Sequence, residues 1–286
     1  MNSMENKVIA GYDGSEESKI AVRWAAVVAK RRAVPLLVVA ATDWDEPPKD
    51  LQGTKLATFS DQLIYDTAHA GALLARKAAT VEVEAIGVQR KASAALIEYS
   101  SEAQLIVVGH QDRGKLRGVL PGSVAYAVAN HAKCPVAIAR SELHPLPTSD
   151  YPSVVAIDGS QHSDNALETA ARWAFETNSL LRTVVAWKTT LAPTHVNYAE
   201  KAAQAARHAR EISQAATEQV APAYPELQVE PVIAEGRAAD VIIDTAADAS
   251  LIIMGARGLG GLASLLLGSV SREVIEHAQC PVYIVR

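Results

Sequence analysis

The chain has 286 residues, 49% of them hydrophobic and 5% aromatic, and carries a formal net charge of -5 at pH 7. That length is about twice a common domain size, so two domains are expected. The acidic balance and lack of a long basic run argue against a nucleic-acid binder, and no stretch approaches the length of a membrane span.

In chain order, short apolar runs alternate with helical patterns. The first half predicts strands at 8–12, 36–41, 81–88, 105–109 and 136–139. Helices are predicted between them at 18–30, near 59–79, at 92–102 and at 123–131. The second half predicts the same series: strands at 154–157, 181–187, 229–234, 251–255 and 282–285, with helices at 163–177, 198–221, 238–247 and 269–277. Strand–helix alternation of this kind predicts an α/β fold: parallel open sheets, helices on both faces and right-handed crossovers. Ligands of such sheets sit at the carboxyl ends of the strands. Trp24, Trp173 and Trp187 fall on core-facing positions, and Trp44 lies in the acidic, Pro-containing loop DWDEPPKD.

The two halves are one sequence written twice. AGYDGSEES (Ala10 to Ser18) matches AIDGSQHS (Ala156 to Ser163), and CPVAIAR (from Cys134) matches CPVYIVR (from Cys280). Asp13 and Asp158 are 145 positions apart (158 − 13); Gly122 and Gly268 are 146 apart (268 − 122). The Pro-containing stretch SELHPLPTSDYPS joins the copies, and domains are expected at 1–143 and 150–286. Cys134 and Cys280 read as one small buried thiol per domain. The N-terminal MNSMENKVIAGYDGS lacks the apolar segment of a signal peptide, so a cytoplasmic protein is expected.

After its fourth strand the second copy reads GARGLGGLASLLLGS, in which Gly255, Gly258, Gly268 and Ser269 form G-x2-G-x9-G-[ST]. A loop that leaves a strand and enters a helix offers free N–H groups and the positive end of a dipole to an anion. Arg257 adds a charge that suits phosphate. The competing reading is a plain connector with Ser269 as an ordinary N-cap. No G-x4-G-K-[ST] occurs, and no G-x-G-x-x-G follows the first strand of either copy. His131 and His277 stand near helix C-termini, where the dipole favours them. His110 sits inside the first glycine loop, within reach of a ligand there.

These residues together resemble the universal stress protein family: the glycine spacing from Gly255 to Ser269, Asp-Gly-Ser after the first strand, and the closing Cys-Pro-Val strand. The resemblance covers nearly the whole chain as two tandem copies. It implies five-stranded domains of strand order 3-2-1-4-5, similar to adenine nucleotide α-hydrolases, and an adenine nucleotide ligand, ATP with or without Mg2+. In the second domain it implies binding by Asp158, Ala186, Gly255, Arg257, Gly258, Gly268, Ser269 and Val270. In the first it implies Asp13, Ala41, Gly109, Asp112, Gly122, Ser123 and Val124. It also implies pairing of the two domains, and a homodimer as a further option. The first copy departs from the pattern at Asp112, which stands where the motif has Gly258, and at Gln111 in place of Arg257. A carboxylate about 4 Å from a phosphate charge costs roughly 1–4 kcal/mol. Weaker binding, no effect and metal-assisted binding all stay open for that site. The expected function is an ATP-binding stress-response regulator; a slow ATP-hydrolysing enzyme and a nucleotide-free scaffold are the alternatives.

Overall fold

The computed structural model describes residues 6–42, 54–110, 123–140, 150–189, 192, 194–260 and 267–286, with the backbone alone for 54–60. Asp112, Gly122, Gln111 and Trp44 therefore lie outside the described residues. The chain divides into two units, 1–142 and 143–286. Among the described residues no helix is long and apolar enough to cross a membrane.

The first unit runs β1 (Lys7–Gly11), α1 (Glu16–Arg31), β2 (Leu36–Thr42), α2 (Thr54–Ala78), β3 (Val83–Gln89), α3 (Ala92–Tyr99), β4 (Ala103–Gly109), α4 (Ser123–His131) and β5 (Val136–Ala139). Its strands lie in the order β3-β2-β1-β4-β5, all parallel. Val8 pairs with Leu36 on one side and Leu105 on the other, so the apolar runs of three strands stack in register. Both faces of these strands are covered, which is why they read as near-continuous runs of Val, Ile, Leu and Ala. α1 packs with α2 and α3 with α4.

The second unit repeats this plan with β6 (Ser153–Ala156), α5 (Gln161–Thr177), β7 (Leu181–Trp187), α6 (Tyr198–Val220), β8 (Val229–Glu235), α7 (Ala238–Thr245), β9 (Leu251–Gly255), α8 (Ser269–His277) and β10 (Val282–Val285). Its parallel order is β8-β7-β6-β9-β10. In both units the first strand is central, and the crossover direction reverses beside it. Trp24 and Trp173 are buried, Trp187 is half-buried, and Cys134 and Cys280 are buried cysteines.

Three helices start earlier than the sequence pattern predicts, α2 at Thr54 rather than near residue 59. α1 begins at Glu16 rather than residue 18, and α5 at Gln161 rather than residue 163. Ser15 and Ser160 are the N-caps: their Oγ atoms accept from the N–H groups of Ser18 (3.2 Å) and Ser163 (3.3 Å). Ser18 and Ser163 are buried first-turn residues whose hydroxyls donate back to Ser15 and Ser160 carbonyls. Replacing Ser160 with Ala removes one such acceptor, and urea unfolding should show a loss of about 1 kcal/mol. A change below a few tenths would show that the cap contributes nothing.

Candidate functional site

Strand β6 ends at the centre of its sheet, and the next residues build the site. The Ile157 N–H donates to Val184 O (2.9 Å), carrying the chain one residue past the strand. Asp158 then accepts two backbone bonds. Its Oδ1 takes the Ser160 N–H at 3.0 Å, within its own turn. Its Oδ2 takes the Leu259 N–H at 3.0 Å, from the loop after β9. One carboxylate thus ties the β6–α5 turn to the glycine loop.

The glycines explain how that tie is possible. A Cβ on Gly258 would fall well inside contact distance of Asp158 Oδ2. The second glycine of the motif is where the Asp158 carboxylate passes. Gly255 answers to a different neighbour. A Cβ there would lie 2.8 Å from His162 Cβ and from the His162 carbonyl oxygen, in the first turn of α5. Gly109 in the first unit is tighter still, 2.5 Å from the Glu17 carbonyl carbon and oxygen. The group that a Cβ at either of these two glycines would meet is therefore the first turn of a helix.

The loop's two feet are joined. The Gly268 N–H donates to Ala256 O (2.7 Å), and Ser271 Oγ donates to Gly255 O (2.9 Å). Residues 261–266 between them lie outside the described residues. Gly268, not Ser269, is the N-cap of α8, and no side chain caps the helix. This corrects the reading of Ser269 as an ordinary N-cap: Ser269 is the first helical residue. Two helix N-termini meet here, and they differ. That of α5 is capped by Ser160, whereas that of α8 keeps its first-turn amides free of any side-chain cap.

Between these parts lies a cavity of about 420 Å³. Its floor is apolar, from Val184 and Ala186 on β7 and Met254 on β9, and Ile242 of α7 walls one side. Asp158, Ala186, Gly255, Arg257, Gly258, Gly268, Ser269 and Val270 all line it. The sequence-predicted residues of the second unit are brought together. Arg257 is half-buried at this cavity, and its Nε donates to His162 Nε2 at 3.0 Å.

The corresponding cleft of the first unit measures about 90 Å³. Asp13, Ala41, Gly109 and Val124 line it; Ser123 is described but is not among the lining residues. Tyr12 stands where the second unit has Ile157, and Glu17 where it has His162; both line the cleft. Asp13 Oδ1 accepts from the Ser15 N–H (3.0 Å) and from Ser15 Oγ (2.5 Å). Burial pushes the Asp13 carboxyl up, but the Ser15 and Ser18 hydrogen bonds outweigh it and hold its pKa below the usual carboxylate range. His110 is buried and is not among the lining residues of this cleft. His277 Nδ1 lies 3.0 Å from Glu273 O, one turn back in α8, as a residue at a helix C-terminus should.

Tyr12, Glu17 and Met254 line these clefts, and His162 bonds to Arg257 at the second; sequence reasoning passed over all four. The signal for Glu17 and His162 was present: they occupy equivalent positions in the two copies, 145 apart, and exchange an acid for a base.

The model of the universal stress protein family matches residues 4–140 and again 153–286. The chain belongs to the universal stress protein family. A universal stress protein of Mycobacterium tuberculosis strain H37Rv is 32% identical over 300 residues, covering 99% of this chain and 97% of its own length. A second from the same strain is 30% identical over 291 residues, covering 98% and 96%. Among solved structures, a universal stress protein from Archaeoglobus fulgidus matches 100% of this chain and 99% of its own, at TM-score 0.74 and 20% identity, which establishes the likeness of fold.

Proposed function

We propose that this universal stress protein is an ATP-binding regulator whose principal site is the cavity of the second unit. The observation that carries this reading is the α8 N-terminus. Its uncapped amides face a cavity with an apolar floor and with Arg257 at its lining. An anion is favoured at such a helix end, and a flat base on such a floor. The cavity volume falls in the range of small-molecule sites.

Hydrolysis needs a positioned base and, for phosphoryl transfer, a metal. Asp158 is the one carboxylate among the described lining residues, and both its oxygens already accept backbone amides. Among the described residues no group of three or more His, Cys, Asp or Glu could hold a metal ion. A Mg2+ carried in with ATP would rest on the phosphates. The reading is therefore a binding protein, in which ATP acts by its differential affinity for loop states.

The second unit is proposed as the stronger site. Tyr12 and Glu17 crowd and acidify the first cleft, and the sequence places Asp112 where the second unit has Gly258. Calorimetric titration of nucleotide-stripped protein with Mg-ATP should show one tight site per chain. Two equal sites would end the asymmetry. No heat, together with no displacement of a fluorescent nucleotide, would overturn ATP binding and favour a scaffold. Release of ADP and phosphate over hours would favour the hydrolase.

A further inference from the structure

Arg257 is held in an unusual way. Arginine has only donors, so the His162 Nε2 that receives the Arg257 Nε–H at 3.0 Å must present a lone pair. The imidazole is then neutral, with its proton on Nδ1. That Nδ1 is buried and has no hydrogen-bond partner. A buried donor left unsatisfied is costly, and such groups call for a reason.

The charge balance supplies one. Arg182 bonds to Glu230 and Asp248, and Arg237 bonds to Asp240 and Glu273. Those two guanidinium groups are positioned by carboxylates and neutralised by them. Arg257 pairs with no carboxylate among the described residues. It is positioned at the cavity by a neutral acceptor, so its full charge is left for whatever enters. The first unit makes the opposite choice at the same place, with Glu17 in the cleft and Gln111 in the sequence.

We infer that His162 is a positioning residue that aims the Arg257 guanidinium into the cavity while leaving its charge uncancelled, and so selects anionic ligands for the second unit. This rests on the reading of that cavity as a nucleotide site. His162 touches no ligand in this account; it acts through Arg257.

The test compares affinities for adenosine, AMP and ATP in full-length variants. Losing charge-assisted bonds to phosphate, Arg257→Ala should weaken ATP about 10–100-fold and adenosine little. His162→Ala should weaken ATP in the same direction by about 3–10-fold, since the unfixed guanidinium must be ordered at binding. His162→Gln, which offers Nε an amide oxygen, should restore most of the affinity. His162→Glu should be at least as poor as Arg257→Ala, because an ion pair fixes the guanidinium but cancels it. In the Arg257→Ala background, His162→Ala should add nothing. Equal losses for adenosine and ATP, or an undiminished His162→Ala effect without Arg257, would show a packing role against Gly255 and overturn the inference. Failure of the wild-type protein to bind any of the three ligands overturns the nucleotide reading itself. Binding that is intact and indifferent to all four substitutions overturns the inference alone.

Discussion

Gly258→Glu should abolish nucleotide binding by the second unit while leaving both units folded. The new side chain begins where the Asp158 carboxylate passes, since even a Cβ at this position invades Asp158 Oδ2. Two results follow. The Leu259 N–H loses its acceptor, and the loop lifts from the β6–α5 turn. A second negative charge also enters the proposed phosphate site, at a cost of roughly 1–4 kcal/mol per phosphate charge at 4 Å. The upper part of that range exceeds the roughly hundredfold loss, about 2.7 kcal/mol, that would take a micromolar ligand beyond ordinary detection. Gly258 is exposed, so global stability should change by less than about 1 kcal/mol. Calorimetric titration and circular dichroism of the same sample separate the two effects. Unaltered affinity would remove the glycine loop from the site. The reciprocal change, Asp112→Gly, should strengthen any binding by the first unit, though Tyr12 and Glu17 still limit that cleft.

The repeat made the fold legible. Each copy carries the same order of apolar runs, and a parallel sheet buried on both faces leaves a strong imprint in Val, Ile and Leu. Strand ends were therefore clear, and with them the ligand-binding end of the sheet. Helix starts were less so. Ser15 and Ser18 are both plausible caps, as are Ser160 and Ser163, and only the backbone decides between them. The eight residues expected in the second cavity lie within it because they sit at the ends of predictable strands and helices. What the sequence hid was tertiary. That Asp158 reaches the Leu259 N–H across 101 positions is invisible locally. His162 gave no sign of its partner, because Arg257 lies 95 positions away. Gly255 was read for its phosphate-loop spacing, yet its missing Cβ is demanded by the first turn of α5.

That last point carries its own expected result. Gly109→Ala should destabilise the first unit by about 2–4 kcal/mol, at or above the usual cost of overpacking. The added methyl would lie 2.5 Å from the Glu17 carbonyl carbon and oxygen, and the backbone of a helix cannot rotate aside as a side chain can. Either α1 shifts outward, opening its packing against β4, or β4 moves and strains its pairing with β1 and β5. Gly255→Ala should act likewise on the second unit, but less strongly, because its closest backbone neighbour is 2.8 Å away. It should also weaken ATP, because the atoms it displaces belong to His162, the residue that holds Arg257. Gly260→Ala is the control: nothing lies within 4 Å of a Cβ there, and stability should hold within about 0.5 kcal/mol. Scanning calorimetry resolves the comparison, since about 2–4 kcal/mol lowers the transition of a unit this size by roughly 5–15 °C. If Gly109→Ala and Gly260→Ala behave alike, the close approach of helix to strand end is not what requires glycine. The glycine at the end of the fourth strand would then belong to the ligand after all. If they differ as expected, the family's glycine motif divides by physical task. Its first glycine seats a helix, and its second admits the carboxylate of Asp158.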